Sequence, residues 1–148
     1  MSQDGSDQIL QVGYLRSCMD RRFVEATRRK FEEVTELSSD RYYHEALAGG
    51  ALNQVPTPPP NPNPDGADYV YNNPEIRLEV MGWQAHLDHC GGLPGRDNLW
   101  IRTHFQALAN SGTLQSKYPR VRHVFLLASE DSNHQPQVEI IEPKDAKL

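Results

Sequence analysis

Apolar positions along the chain fall into runs whose spacing changes from one stretch to the next, and the changes predict an alternation of strands and helices. Residues 8–17 carry Ile9, Leu10, Val12, Tyr14 and Leu15, an apolar-rich run that predicts a buried strand ending at Cys18. Over residues 23–37 the spacing lengthens. Val24, Phe31, Val34 and Leu37, with Ala26 and Thr27, recur at helical intervals until the Ser38-Ser39-Asp40 cluster stops the run. Residues 41–47 predict a second short strand, and Gly49-Gly50 after it supplies a backbone able to approach a ligand or another strand closely.

Residues 74–86 read two ways: Ile76, Leu78 and Val80 alternate as in a strand, while Glu75, Arg77 and Glu79 suit an exposed helix face. The latter part, 80–86, is expected to be strand. Asp97 is a fair N-cap for a helix through Leu99, Trp100, Ile101, Phe105 and Leu108 to about Asn110, with Gly112 past its end. Residues 121–128 form the clearest strand, and residues 138–141 its partner. The polar link 130–137 between them predicts an antiparallel hairpin at a sheet edge. The fold class expected is α/β, a mainly parallel sheet flanked by helices with an antiparallel edge hairpin.

Composition adjusts this picture in three places. The length of 148 residues fits one domain, here with a polar tail at residues 1–7 and a proline-rich loop at residues 55–66. That loop holds six of the eleven prolines, so it is expected to be a stiff, extended surface segment or a partner-contact arm. With 37% apolar and 24% charged residues the chain is polar for its length but outside the range of intrinsic disorder, and a thin core favours an oligomer.

A formal net charge of -5 argues against charge-driven nucleic-acid binding. Arg21, Arg22, Arg28, Arg29 and Lys30 do cluster, but Glu25, Glu32, Glu33 and Glu36 interleave with them at helical spacing, as on a solvated helix face. No run approaches the roughly 18 apolar residues of a membrane span, and the polar, acidic start does not resemble a signal peptide; a cytoplasmic protein without membrane contact is expected. Walker-type and dinucleotide-type glycine loops and a Gly-x-Ser-x-Gly elbow are absent from the sequence.

The chemistry concentrates around the two cysteines. Cys18 opens Cys18-Met19-Asp20-Arg21-Arg22, and Cys90 closes His86-Leu87-Asp88-His89-Cys90 ahead of Gly91-Gly92. Two thiolates and one imidazole make three protein ligands for Zn2+ and leave a fourth tetrahedral position free, the arrangement of a catalytic zinc site. A disulfide is the alternative, but a reducing compartment and ligand-like neighbours favour thiolates on metal. His86 is preferred to His89 as the third ligand, because adjacent residues tend to point apart and a one-residue bulge would return His86 to the metal. His89 would then be a nearby donor or proton relay. Asp20 lies two residues past Cys18, and Arg22 can hold it ionised through a bidentate pair. His44 is either a proton shuttle or a structural histidine; His104, His123 and His134 have no partner signal, and Trp83 and Trp100 read as core or interface.

Cys-x-Asp-x-Arg at the end of a first strand, a small Ala-Gly-Gly turn at residues 48–50 and a His/Cys-Gly cluster together resemble the β-class carbonic anhydrases, over roughly residues 10–141. That family usually has His-x-x-Cys-Gly, whereas here His86 stands four residues before Cys90. The resemblance implies zinc on Cys18, Cys90 and a histidine, for which His86 is the preferred residue, and zinc-bound hydroxide attacking carbon dioxide to give bicarbonate. It also implies that Asp20 orients the hydroxide or binds the metal, that Arg22 holds Asp20, and that the assembly is a homodimer or larger with the site near the subunit boundary. Two other readings stand beside it: hydrolysis of carbon disulfide or carbonyl sulfide on the same site, and an inactive zinc-binding assembly module.

Overall fold

The computed structural model describes residues 11–52 and 66–144. In chain order the elements are β1 (Gln11–Ser17), α1 (Val24–Thr35), β2 (Tyr42–Ala46), a 3₁₀ turn (Gly50–Leu52), α2 (Gly66–Asn72), β3 (Arg77–His86), α3 (Asn98–Ser111), α4 (Thr113–Lys117), β4 (Arg122–Glu130) and β5 (Pro136–Ile141). The five strands form one sheet in the order β2-β1-β3-β4-β5, parallel except for the antiparallel β4–β5 hairpin. The α/β class expected from the spacing is therefore the observed one, a mixed, mostly parallel sheet flanked by helices.

Both faces of the sheet are covered. On one, Phe31, Val34 and Leu37 pack on Leu15, Val80, Val124 and Leu126. Phe31 fits because Gly82 leaves room: a Cβ there would stand 2.6 Å from the ring. On the other face, Ala67 and Val70 of α2 and Ile101, Phe105 and Ala109 of α3 pack on Tyr14, Met81, Trp83, Phe125 and Leu127. Trp83 is a core residue, with its indole N–H given to His123 Nδ1 at 3.0 Å.

Several boundaries shift from those expected. Residues 8–10 and the proline-rich stretch 53–65 lie outside the described residues, as does the polar tail, while Gly66 opens α2 rather than closing a loop. Residues 74–76 do not join a strand; Arg77–His86 does, exposed on alternate residues at its start and buried throughout from Val80 onward. Asp97 caps α3, its side chain accepting from the Trp100 N–H at 2.8 Å, and Gly112 ends the helix in the left-handed conformation. The helices α2 and α4 are additions, each too short to show a period.

Candidate metal centre

Strand order decides where the cysteines meet. The chain leaves β1 for β2 on one side and then crosses to β3 on the other, so the strand order reverses between the neighbours β1 and β3. In parallel sheets the crevice beyond the carboxyl ends of such a pair receives ligands. Cys18 is the first residue past β1, and His86 is the last residue of β3.

Cys90 returns to the same point by a turn. Asp88 and His89 both take left-handed backbone conformations, with φ of 65° and 74°, and reverse the chain after β3. The expected one-residue bulge is thus replaced by two successive left-handed residues. Asp88 is fixed by α3 and β4: its Oδ1 accepts from Asn98 Nδ2 at 3.1 Å and its Oδ2 from the Glu130 N–H at 2.8 Å. Both Asp88 oxygens are committed to this scaffold. His89 is exposed, and its carbonyl rather than its ring meets the site, accepting from Arg22 Nη2 at 3.0 Å.

Two glycine turns close the wall. Gly50, at φ 58°, sits so near β3 that a Cβ would stand 2.2 Å from the Gln84 carbonyl oxygen, and a Cβ on Gly92 would stand 2.3 Å from the Gly49 nitrogen. The Ala48-Gly49-Gly50 and Cys90-Gly91-Gly92 segments therefore meet backbone to backbone, a distance only glycine permits.

Cys18, His86 and Cys90 offer ligand atoms that all lie within 4.8 Å of one another, and all three residues are buried. The two sulfurs are 3.8 Å apart. Tetrahedral zinc with bonds of about 2.3 Å to sulfur spaces two thiolates by about 3.8 Å, whereas a disulfide needs about 2.05 Å; both cysteines are free. His86 Nδ1 lies 2.7 Å from the Leu87 carbonyl, which can only accept, so Nδ1 carries the proton and Nε2 keeps a lone pair. That Nε2 is buried without a hydrogen-bond partner. An orphaned imidazole nitrogen turned toward two sulfurs is a donor set that fits a borderline-soft divalent ion.

The electrostatics agree. A hydrogen bond from Cys90 pulls the Cys18 thiol down to about 4, burial opposes this, and His86 with the Gly49 and Asp20 backbone groups adds to it. The Cys90 thiol is raised by the same bond and by burial, although the Gly92 and Leu93 backbone groups act the other way. Burial works against a charged His86, but Cys18, the Leu87 carbonyl and Asp20 outweigh it and raise its pKa.

Asp20 and Arg22 stand beside this trio. Arg22 donates from Nε to Asp20 Oδ1 at 3.1 Å and from Nη2 to Oδ2 at 2.8 Å, the bidentate pair expected, and its backbone N–H adds a third bond at 2.9 Å. The Arg22 hydrogen bonds hold the Asp20 carboxyl below its usual range against a partial burial cost. Asp20 Oδ2 lies 3.6 Å from His86 Nε2, yet Asp20 is not part of the mutually spaced trio. Phe23, fully buried, lies against the imidazole with ring centroids 4.7 Å apart.

Sequence reasoning missed Gln84 and Thr27. Gln84 Oε1 accepts from the Cys18 N–H at 2.8 Å, and its Nε2 donates to Thr27 Oγ1 at 3.0 Å. A lone glutamine in an apolar strand gives no signal of this. His44 lies 2.7 Å from Ser17 Oγ through its Nε2. His104 stacks on Trp100 at 3.9 Å, and His134 lies 3.9 Å from Glu130. Among the described residues no helix is long and apolar enough to cross a membrane. The chain matches no protein-family model, no curated protein and no solved structure.

Proposed function

We propose that this chain is a zinc enzyme of the β-carbonic-anhydrase type that interconverts carbon dioxide and bicarbonate. The observation that carries the reading is the buried trio of Cys18, His86 and Cys90, its sulfurs 3.8 Å apart, with an ionised Asp20 locked beside it by Arg22. Its place past the carboxyl ends of β1 and β3 gives further support.

Cys18, Cys90 and His86 would hold the ion. Bound zinc supplies Lewis acidity, which makes hydroxide available near neutral pH. Asp20 is held as a carboxylate and accepts a hydrogen bond from the attacking oxygen, which orients its lone pair toward the substrate carbon. Arg22 keeps that carboxylate charged and aimed, while its bonds to the Asp88 and His89 carbonyls tie it to the segment that carries Cys90. Asp20 stands outside the trio, so three residues would hold the ion, which would leave one tetrahedral position for exchange.

The test is stopped-flow hydration of carbon dioxide by zinc-loaded protein and by Cys18→Ala. Wild type is expected to accelerate the reaction, and the variant to lose the activity together with its zinc. Equal activity in the two would remove the proposal. Wild type that holds zinc but leaves hydration at the background rate would also remove it, with sulfide release from carbon disulfide and carbonyl sulfide measured next.

A further inference from the structure

Four polar side chains are fully buried among the described residues: Ser17, Thr27, Gln84 and His86. His86 is a member of the trio. The other three converge on the backbone of Cys18, where the sheet stops supplying partners, since the last ladder contact of β1 is the Leu47 N–H on the Ser17 carbonyl at 2.8 Å. Cys18 is thus the first residue past the strand that must satisfy its N–H and C=O by other means.

Side chains do so on both sides. The Cys18 N–H donates to Gln84 Oε1 at 2.8 Å, and Gln84 Nε2 donates to Thr27 Oγ1 on α1 at 3.0 Å. The Cys18 carbonyl accepts from Ser17 Oγ at 3.1 Å, and Ser17 Oγ in turn meets His44 Nε2 at 2.7 Å. With the hydroxyl proton given to the carbonyl, His44 donates its Nε2–H to Ser17. A continuous polar chain from α1 to β2 therefore passes through the peptide groups of one residue. A buried amide is costly unless its bonds are made, and an apolar side chain of Gln84's size would pack there without that cost.

We propose that Gln84, backed by Thr27, is a positioning residue that fixes the Cys18 backbone so that its sulfur meets Cys90 and His86 at metal-binding distance. The inference rests on the metal-centre reading of the trio and extends it to groups that touch no ligand atom. Partners of this kind set the aim of a ligand, and their loss costs about 10–100-fold in metal affinity.

The test is competitive titration of zinc against a chromophoric chelator, with cobalt(II) as a spectroscopic probe of sulfur ligation. Gln84→Leu is expected to weaken zinc by about 10–100-fold and to shift or diminish the near-ultraviolet sulfur-to-cobalt band. Thr27→Val should lose less, and Thr27→Ser, which keeps the hydroxyl, should restore wild-type behaviour. Urea unfolding of the metal-free proteins reports folding separately, and Val70→Ala, a cavity in α2, which supplies no ligand, serves as the destabilised control with unchanged zinc affinity. Wild-type affinity and spectrum in both Gln84→Leu and Thr27→Val would overturn the clamp. So would a loss of affinity that Val70→Ala reproduces at equal loss of stability. A wild-type chain that takes up neither zinc nor cobalt overturns the metal-centre reading, and the clamp with it, before any substitution is made.

Discussion

One guanidinium joins two parts of the site that the chain keeps apart. Arg22 holds the Asp20 carboxylate from the Cys18 side and the Asp88 and His89 carbonyls from the Cys90 side, and Glu130 lies 3.6 Å from its Nη1. Arg22→Gln keeps a planar amide but loses the charge, so the Asp20 carboxyl should rise toward its ordinary value. We expect such a variant to retain zinc, since Arg22 bonds to Asp20 and to the Asp88 and His89 carbonyls and not to the backbone of a trio residue as Gln84 does, and to lose about 10–100-fold in kcat/KM for the proposed reaction. A carboxyl lowered in the folded state stabilises the fold at pH values above its unfolded pKa near 3.9, and the contribution disappears as pH falls through the folded value. The stability gap between wild type and Arg22→Gln in urea should therefore be level at neutral pH and close below about pH 4; a gap that widened on acidification would contradict this. The Asp20–Arg22 pair was legible because its residues are two apart and of opposite charge. Gln84 and Thr27 were not, since their partners stand 66 and 57 residues away and nothing local distinguishes a clamping amide from a surface one.

The turn after β3 decides which histidine faces the sulfurs. Strand alternation made adjacent residues diverge and so favoured His86, and its ring is the one the fold brings to Cys18 and Cys90. The route differs from the bulge expected, because Asp88 tolerates a left-handed backbone through its short polar side chain and leads His89 into the same region. His89 adopts that conformation at a steric cost that glycine would not bear. We predict that His89→Gly keeps the bound zinc and changes stability by no more than about 1 kcal/mol, while His86→Ala loses zinc, both read by metal analysis and thermal melting. Loss of zinc in His89→Gly would reverse the assignment. Elsewhere, α1, α3 and β4, each of nine or more residues with a clear period, were legible with boundaries off by at most two residues, as was the C-terminal end of β1. The shorter α2 and α4 show too few turns for a period, and β3 loses its alternation where it runs between two covered faces.

At the scale of the molecule, the trio joins the ends of β1 and β3 at one end of a sheet packed on both faces; Cys18 and Cys90 belong to the apolar cluster on one face, and the cluster on the other face holds no trio residue. One apolar cluster, built from Leu15, Phe31, Val80, Val124 and Leu126, contains no ligand, and Phe105, Phe125 and Leu127 sit in the body of the other. Metal should therefore stabilise a fold that exists without it, unlike small zinc modules whose only core is the ion's own ligand set. A ligand that binds only the folded state adds about 2.7 kcal/mol at a hundredfold excess over its dissociation constant. For a chain of this length each kcal/mol moves the melting temperature by about 2–4 °C. Chelation is thus expected to lower Tm by about 5–11 °C with the far-ultraviolet circular dichroism retained at 25 °C. The loss should recover on adding zinc and be absent in Cys18→Ala. Collapse of the spectrum on chelation would mean that the two cores do not sustain the sheet alone, and that the trio is a structural staple rather than a site held open for chemistry.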